Sequence, residues 1–114
     1  MKNELYVNLY KAIKTHSGLE YESMIDASNY GANSGFGGFV YYTDTCEFYD
    51  NNRELIWELL EQDAESYDFD NVIAFVGSFN GADNVHDEAT FKNLCSWYVL
   101  ETIGRWISDL KECA

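Results

Sequence analysis

Phe91, Leu94, Cys95, Tyr98, Val99, Ile103, Trp106 and Leu110 follow one another at mostly three- and four-residue spacing, and the chain contains no proline. That spacing predicts a single helix from Asp87, as its N-cap, to about Lys111. The apolar positions cover a wide part of its circumference, so it must be shielded on several sides. It is either the central element of a bundle or one side of a dimer seam. A chain of 114 residues can build one core but not two. The expected fold is therefore mainly α: one small helical domain spanning residues 1–114, organised around a long C-terminal helix. One short strand or hairpin is allowed, with an α+β arrangement as the fallback.

The remaining segments are shorter. Leu5, Leu9, Ala12 and Ile13 predict a first helix over Asn3–Thr15, broken at Ser17-Gly18. A second is expected over Glu20–Ser28, with Tyr21, Met24 and Ile25 turned inward. Asn29–Gly38, with four glycines and two asparagines, reads as a turn needing positive backbone angles. Phe39-Val40-Tyr41-Tyr42 has the content of a short strand. Thr43-Asp44-Thr45 supplies N-cap side chains for a short helix to Asp50, and Asn51 or Asn52 for a helix over Arg53–Tyr67. In the latter, Leu55, Ile56, Leu59 and Leu60 share a face. Asp70 or Asn71 is the expected cap of Val72–Phe79, whose VIAFV run suits a helix and a buried strand equally. Asn80–Asn84 reads as a loop, and Gly104 as a point of close backbone approach.

Charge narrows the function. Twenty acids against seven bases give a formal net charge of -13. Disordered acidic segments are poor in rings, whereas this chain is 46% apolar and 17% aromatic. From Thr15 to Phe91 the only lysine or arginine is Arg53, while sixteen acids lie between Glu20 and Glu88. Such a field repels nucleic acid and anionic lipid, so neither is an expected partner. Basic proteins are. No apolar run reaches membrane-spanning length and MKNELYVNLYK lacks a signal-type apolar core, so the cytoplasm is the expected compartment.

Within this field, Glu54, Glu58, Glu61 and Glu65 are spaced to form one row on a helix. Asp50 and Asp68 extend the row if the helix continues, and Asp44, Glu47 and Asp70 widen it. Neighbouring carboxylates in such a row sit about 5–6 Å apart at Cβ, against about 3.4 Å per phosphate along a DNA strand. The imitation of a strand's charge is therefore approximate. Like-charged pairs at this spacing each cost about 0.2–0.5 kcal/mol in an isolated helix. Although a charge run is ordinarily a solvated face, plain solubility needs no row without interleaved lysines. Asp63 falls on the apolar side instead, which requires a bend or a buried carboxylate with a hydrogen-bond partner.

Catalytic and metal chemistry finds little support. Cys46, Cys95 and Cys113 are odd in number and have no CxxC spacing, which argues against a disulfide framework or zinc knuckle. His86, with Asp83 and Asp87 nearby, and His16 both lack a second histidine or cysteine at ligand spacing. Asp68-Phe69-Asp70-Asn71 opens like a calcium loop, but Ile73 occupies the glycine position. Gly35-Phe36-Gly37-Gly38 is followed by no lysine and is no phosphate cradle. No cofactor and no enzymatic activity are expected. The rings Tyr41, Tyr42, Phe48 and Tyr49 flank Asp44, Glu47 and Asp50. Most are expected in the core, and any left outside would suit arginines through ion pairing and stacking.

The segments YGANSGFGGFVYYTDTCEFYDNNRELIWELL and SFNGADNVHDEATFKNLCSWYVLE, within Asn29–Glu101, resemble a family of small acidic proteins of bacteriophages and related mobile elements. The wider class includes inhibitors of host defence, among them anti-CRISPR and anti-restriction proteins, several of which imitate DNA. The resemblance implies a non-enzymatic inhibitor acting on a Cas effector or a restriction enzyme. It carries no catalytic residue onto this chain. The alternative is a homodimeric interaction module joined through Trp97, Trp106 or Ile107, in which the acids serve solubility alone.

Overall fold

The computed structural model describes residues 2–18, 42–80 and 88–113. Among them are five α-helices: α1 Lys2–Ser17, α2 Tyr42–Asn51, α3 Arg53–Ala64, α4 Phe69–Asn80 and α5 Glu88–Cys113. The small domain is mainly α, and no described residue is in a strand. The second helix, the glycine-rich turn, residues 39–41 of the expected strand, and Asp87 with His86 lie outside the described residues. Tyr42 opens α2 rather than closing a strand.

The long helix α5 is the axis, packing against α1, α2, α3 and α4 and most extensively against α2. Cys95, Val99, Ile103 and Ile107 are fully buried at successive four-residue steps, while Leu100 and Tyr98 are buried to either side of that line. On α1, Leu5, Leu9 and Ile13 present one buried stripe to this axis. Gly18, at φ 72°, ends α1 in a left-handed turn, and its N–H donates to the Lys14 carbonyl at 3.0 Å. Burying each such aliphatic side chain contributes about 1.5–3 kcal/mol, and Phe48, Ile56, Leu59, Leu60, Val72 and Val76 complete the same core from α2, α3 and α4.

The VIAFV run is helical. Val72 and Val76, one turn apart, are fully buried, whereas Ala74 between them is exposed, the reverse of what alternating strand residues require. Edge-to-face contact between Phe75 and Tyr98, 5.3 Å between centroids, docks α4 on α5. Polar bonds tie α2 to α5: Thr45 Oγ1 donates to Asn93 Oδ1, and the buried Ser96 hydroxyl donates to the Thr45 carbonyl at 2.6 Å. Thr45 thus lies inside α2 as a cross-helix link, not at its start as a cap.

Candidate functional site

In α3, Ile56, Leu59 and Leu60 are fully buried, and Asp63 is half-buried on the same side. At about 100° per residue, Glu54, Glu58 and Glu61 share the opposite face. Glu54 and Glu58 are exposed and Glu61 is half-exposed. Sequence reasoning extends this helix to Tyr67, but it ends at Ala64. Glu65 is left-handed, at φ 54° and ψ 38°. Its N–H reaches the Gln62 carbonyl at 3.3 Å, and that of Ser66 reaches Glu61 at 3.1 Å. The paired bonds form a Schellman stop with glutamate where glycine is usual. Glu65 is exposed beyond the row's end, on a cap rather than a helical turn.

Asp68 does not prolong the row, because it caps a different helix. Its Oδ1 accepts the N–H groups of Asp70 at 3.0 Å and Asn71 at 3.2 Å, satisfying two open donors at the start of α4. Asp68, rather than Asp70 or Asn71, is therefore the cap, and the helix begins at Phe69 instead of Val72. Asn52 likewise stands before α3 without capping it. Its Nδ2 donates backwards to the Phe48 carbonyl of α2 at 3.0 Å.

The first turn of α4 lies against α3 through Phe69. Its ring stacks on Trp57, with centroids 5.6 Å apart and planes at 19°, and Phe91 packs beside both rings. Trp57 sits one turn from Glu54 and Glu61 and next to Glu58. The stack therefore brings Asp68 and Asp70, which flank Phe69 and are exposed, towards the α3 glutamates. Phe69 is 57% exposed and Tyr67 87% exposed. Arg53, Glu54, Trp57 and Phe69 line a shallow cavity of about 360 Å³ there.

The acids of α2 are placed differently. Asp50 pairs with Lys92 at 2.8 Å, and Lys92 also reaches Glu88 at 3.3 Å and lies 6.0 Å above the Tyr49 ring. These carboxylates push the Lys92 pKa up through their hydrogen bonds to it. Asp50 is thus neutralised by a base that the sequence places far away. Glu47, also exposed, lines an open groove with Lys11 and His16. Asp44 is half-buried on α2. Of the rings that flank them in sequence, most of which were expected in the core, Phe48 and Tyr49 are buried.

Asp63 has the expected hydrogen-bond partner but is half-buried rather than buried: its Oδ2 accepts the Tyr98 hydroxyl at 2.5 Å. Burial, and then the carboxylate beside it, push the Tyr98 pKa up. Cys95 is buried, and that burial pushes its pKa up too, so it is no reactive thiol. Among the described residues no three His, Cys, Asp or Glu side chains converge to hold a metal ion, and no helix is long and apolar enough to cross a membrane.

A family model described as Domain of unknown function (DUF7222) matches residues 3–112. The chain belongs to the DUF7222 family. No curated protein and no solved structure matches it.

For this DUF7222 domain the geometry sorts the candidate acids into groups. Glu54, Glu58 and Glu61 form the row, Glu65 stands at its end, and Asp68 and Asp70 are carried alongside by Phe69. Asp44, Glu47 and Asp50 belong to α2. Sequence reasoning missed Trp57, Tyr67 and Phe69, although the alternation Tyr67-Asp68-Phe69-Asp70 was the available signal. Of the three residues considered for a dimer seam, Ile107 is fully buried and Trp106 packs edge-on to Tyr6 at 5.3 Å, while Trp97 is 38% exposed.

Proposed function

We propose that this domain is a non-enzymatic inhibitor whose α3–α4 face occupies the nucleic-acid groove of a bacterial defence complex, a CRISPR effector first and a restriction enzyme next. The observation that supports this reading is that the acids of the face, with Arg53 the one base of α3 beside them, make no ion pair among the described residues. Among the described residues the ion pairs join Lys92 to Asp50 and Glu88, and Arg105 to Glu101. None involves Glu54, Glu58, Glu61, Glu65, Asp68 or Asp70. A cation-lined cleft supplies the missing counter-charge and focuses field lines, making association fast and salt-sensitive.

Glu65 adds weight. A left-handed non-glycine residue costs roughly 1–2 kcal/mol, and the chain retains a carboxylate at that position. The resemblance to small acidic phage proteins points in the same direction. The test is DNA cleavage by a panel of purified CRISPR effectors and restriction endonucleases, with wild-type protein and with a folded Glu58→Lys/Glu61→Lys variant. The reading expects one system to be inhibited by the wild type and spared by the variant. Inhibition that survives the double reversal, or none across the panel, overturns it.

A further inference from the structure

Among the described residues the exposed large rings are Tyr67, Phe69 and Trp97, and the first two alternate with the exposed carboxylates Asp68 and Asp70. Phe69 is also held rigidly, because it stacks on Trp57, whose Nε1–H donates to the Tyr49 hydroxyl at 2.6 Å. The Trp57–Phe69 pair and Glu54 form walls of the 360 Å³ cavity. Ring faces beside a carboxylate attract a cation, and a flat cation above all. A guanidinium stacks on a ring and bonds a carboxylate with two N–H groups, whereas an ammonium is a compact, strongly hydrated point charge.

The chain already holds one of its own cations in this manner, since Lys92 lies between the Tyr49 ring and the carboxylates of Asp50 and Glu88. Arg53, exposed, lines the same cavity, so an incoming cation must be held against that like charge by Glu54 and the two ring faces.

We propose that the cavity between Trp57, Phe69 and Glu54 receives an arginine side chain of the partner protein. This rests on the acidic-face reading above and sharpens it: the partner's cleft must offer an arginine, not merely positive charge, at this point.

The test uses hexa-arginine and hexa-lysine peptides of equal charge, titrated into the wild-type domain and into Phe69→Leu, which keeps apolar bulk and removes the ring. We expect Phe69→Leu to weaken hexa-arginine by roughly two- to fivefold and to leave hexa-lysine unchanged. A second measurement needs no variant: the NMR signal of the Trp57 indole N–H should shift more with hexa-arginine than with hexa-lysine, while that of Trp97 stays in place. If both peptides bind but Phe69→Leu weakens neither, or both equally, or if Trp57 and Trp97 respond alike, the arginine site is refuted and the acidic face stands. If neither peptide binds the wild type, both fall.

Discussion

The indole of Trp57 and the ring of Phe69 lie 5.6 Å apart and within 19° of parallel, and their contact carries the first turn of α4 onto the outer side of α3. Without it, the glutamates of α3 and the aspartates of α4 would be two unrelated clusters. With it, the helix that carries Glu54, Glu58 and Glu61 meets the start of the helix that carries Asp68 and Asp70 at a pair of stacked rings.

Asp68 serves the fold as well as the charge, since two N–H groups of α4 depend on its Oδ1. Asp68→Ala is expected to cost about 1 kcal/mol, read as a lower urea midpoint at unchanged slope. Asp68→Asn retains the acceptor and is expected to lose only a few tenths of a kcal/mol, chiefly through the weaker interaction with the helix dipole. Equal losses in the two variants contradict the capping role.

Glu65 predicts a gain. Glycine tolerates φ 54° without strain, so Glu65→Gly is expected to stabilise the domain by about 1 kcal/mol, partly offset by the freedom glycine restores to the unfolded chain. Chemical denaturation measures it. If the cap is as described, Glu65→Ala gains nothing. A destabilised Glu65→Gly contradicts the left-handed assignment.

Much of this architecture was legible in the residues. The helical spacing of Leu5, Leu9 and Ile13 and of the α5 positions is long enough to fix both type and face; Leu5, Leu9, Ile13, Phe91, Cys95, Tyr98, Val99 and Ile103 are buried, while Leu94, Trp106 and Leu110 are half-buried. Shorter or non-periodic signals were not decisive. VIAFV is too short for its period to choose between helix and strand, and what separates them is the exposure of Ala74 between the buried Val72 and Val76. The end of α3 carries no glycine or proline, so nothing local announced the stop at Glu65. For the site, spacing placed Glu54, Glu58 and Glu61 on one face but wrongly continued the row to Glu65, which lies past the helix end. The Lys92–Asp50 pair spans α5 and α2, and no local pattern reports such a contact.

Tyr98 and Asp63 link stability to pH. The phenol pKa is raised above its ordinary value of about 10, first by burial and then by the carboxylate beside it. The folded protein therefore keeps its proton where the unfolded chain releases it. The stability this contributes is complete below about pH 10 and declines as pH rises through the raised value. Tyr49 and Cys95, raised by burial, act in the same direction. Thermal melts from pH 8 to 12 should show alkaline destabilisation, shallower in Tyr98→Phe. An identical pH profile in that variant contradicts the link. At neutral pH, Asp63→Ala removes the carboxylate acceptor of the Tyr98 hydroxyl and should cost about 1 kcal/mol, and Asp63→Asn less.

The central claim is that the glutamates of α3 compete with nucleic acid for a cationic cleft. The direct measurement is displacement of a fluorescent duplex from any effector or endonuclease whose cleavage the domain is found to inhibit, followed at low and at high salt. We predict that wild-type protein displaces the duplex at low salt and progressively less as salt rises, and that folded Glu58→Lys/Glu61→Lys fails at both. Displacement by the double variant equal to that of the wild type, or displacement indifferent to salt, contradicts the account.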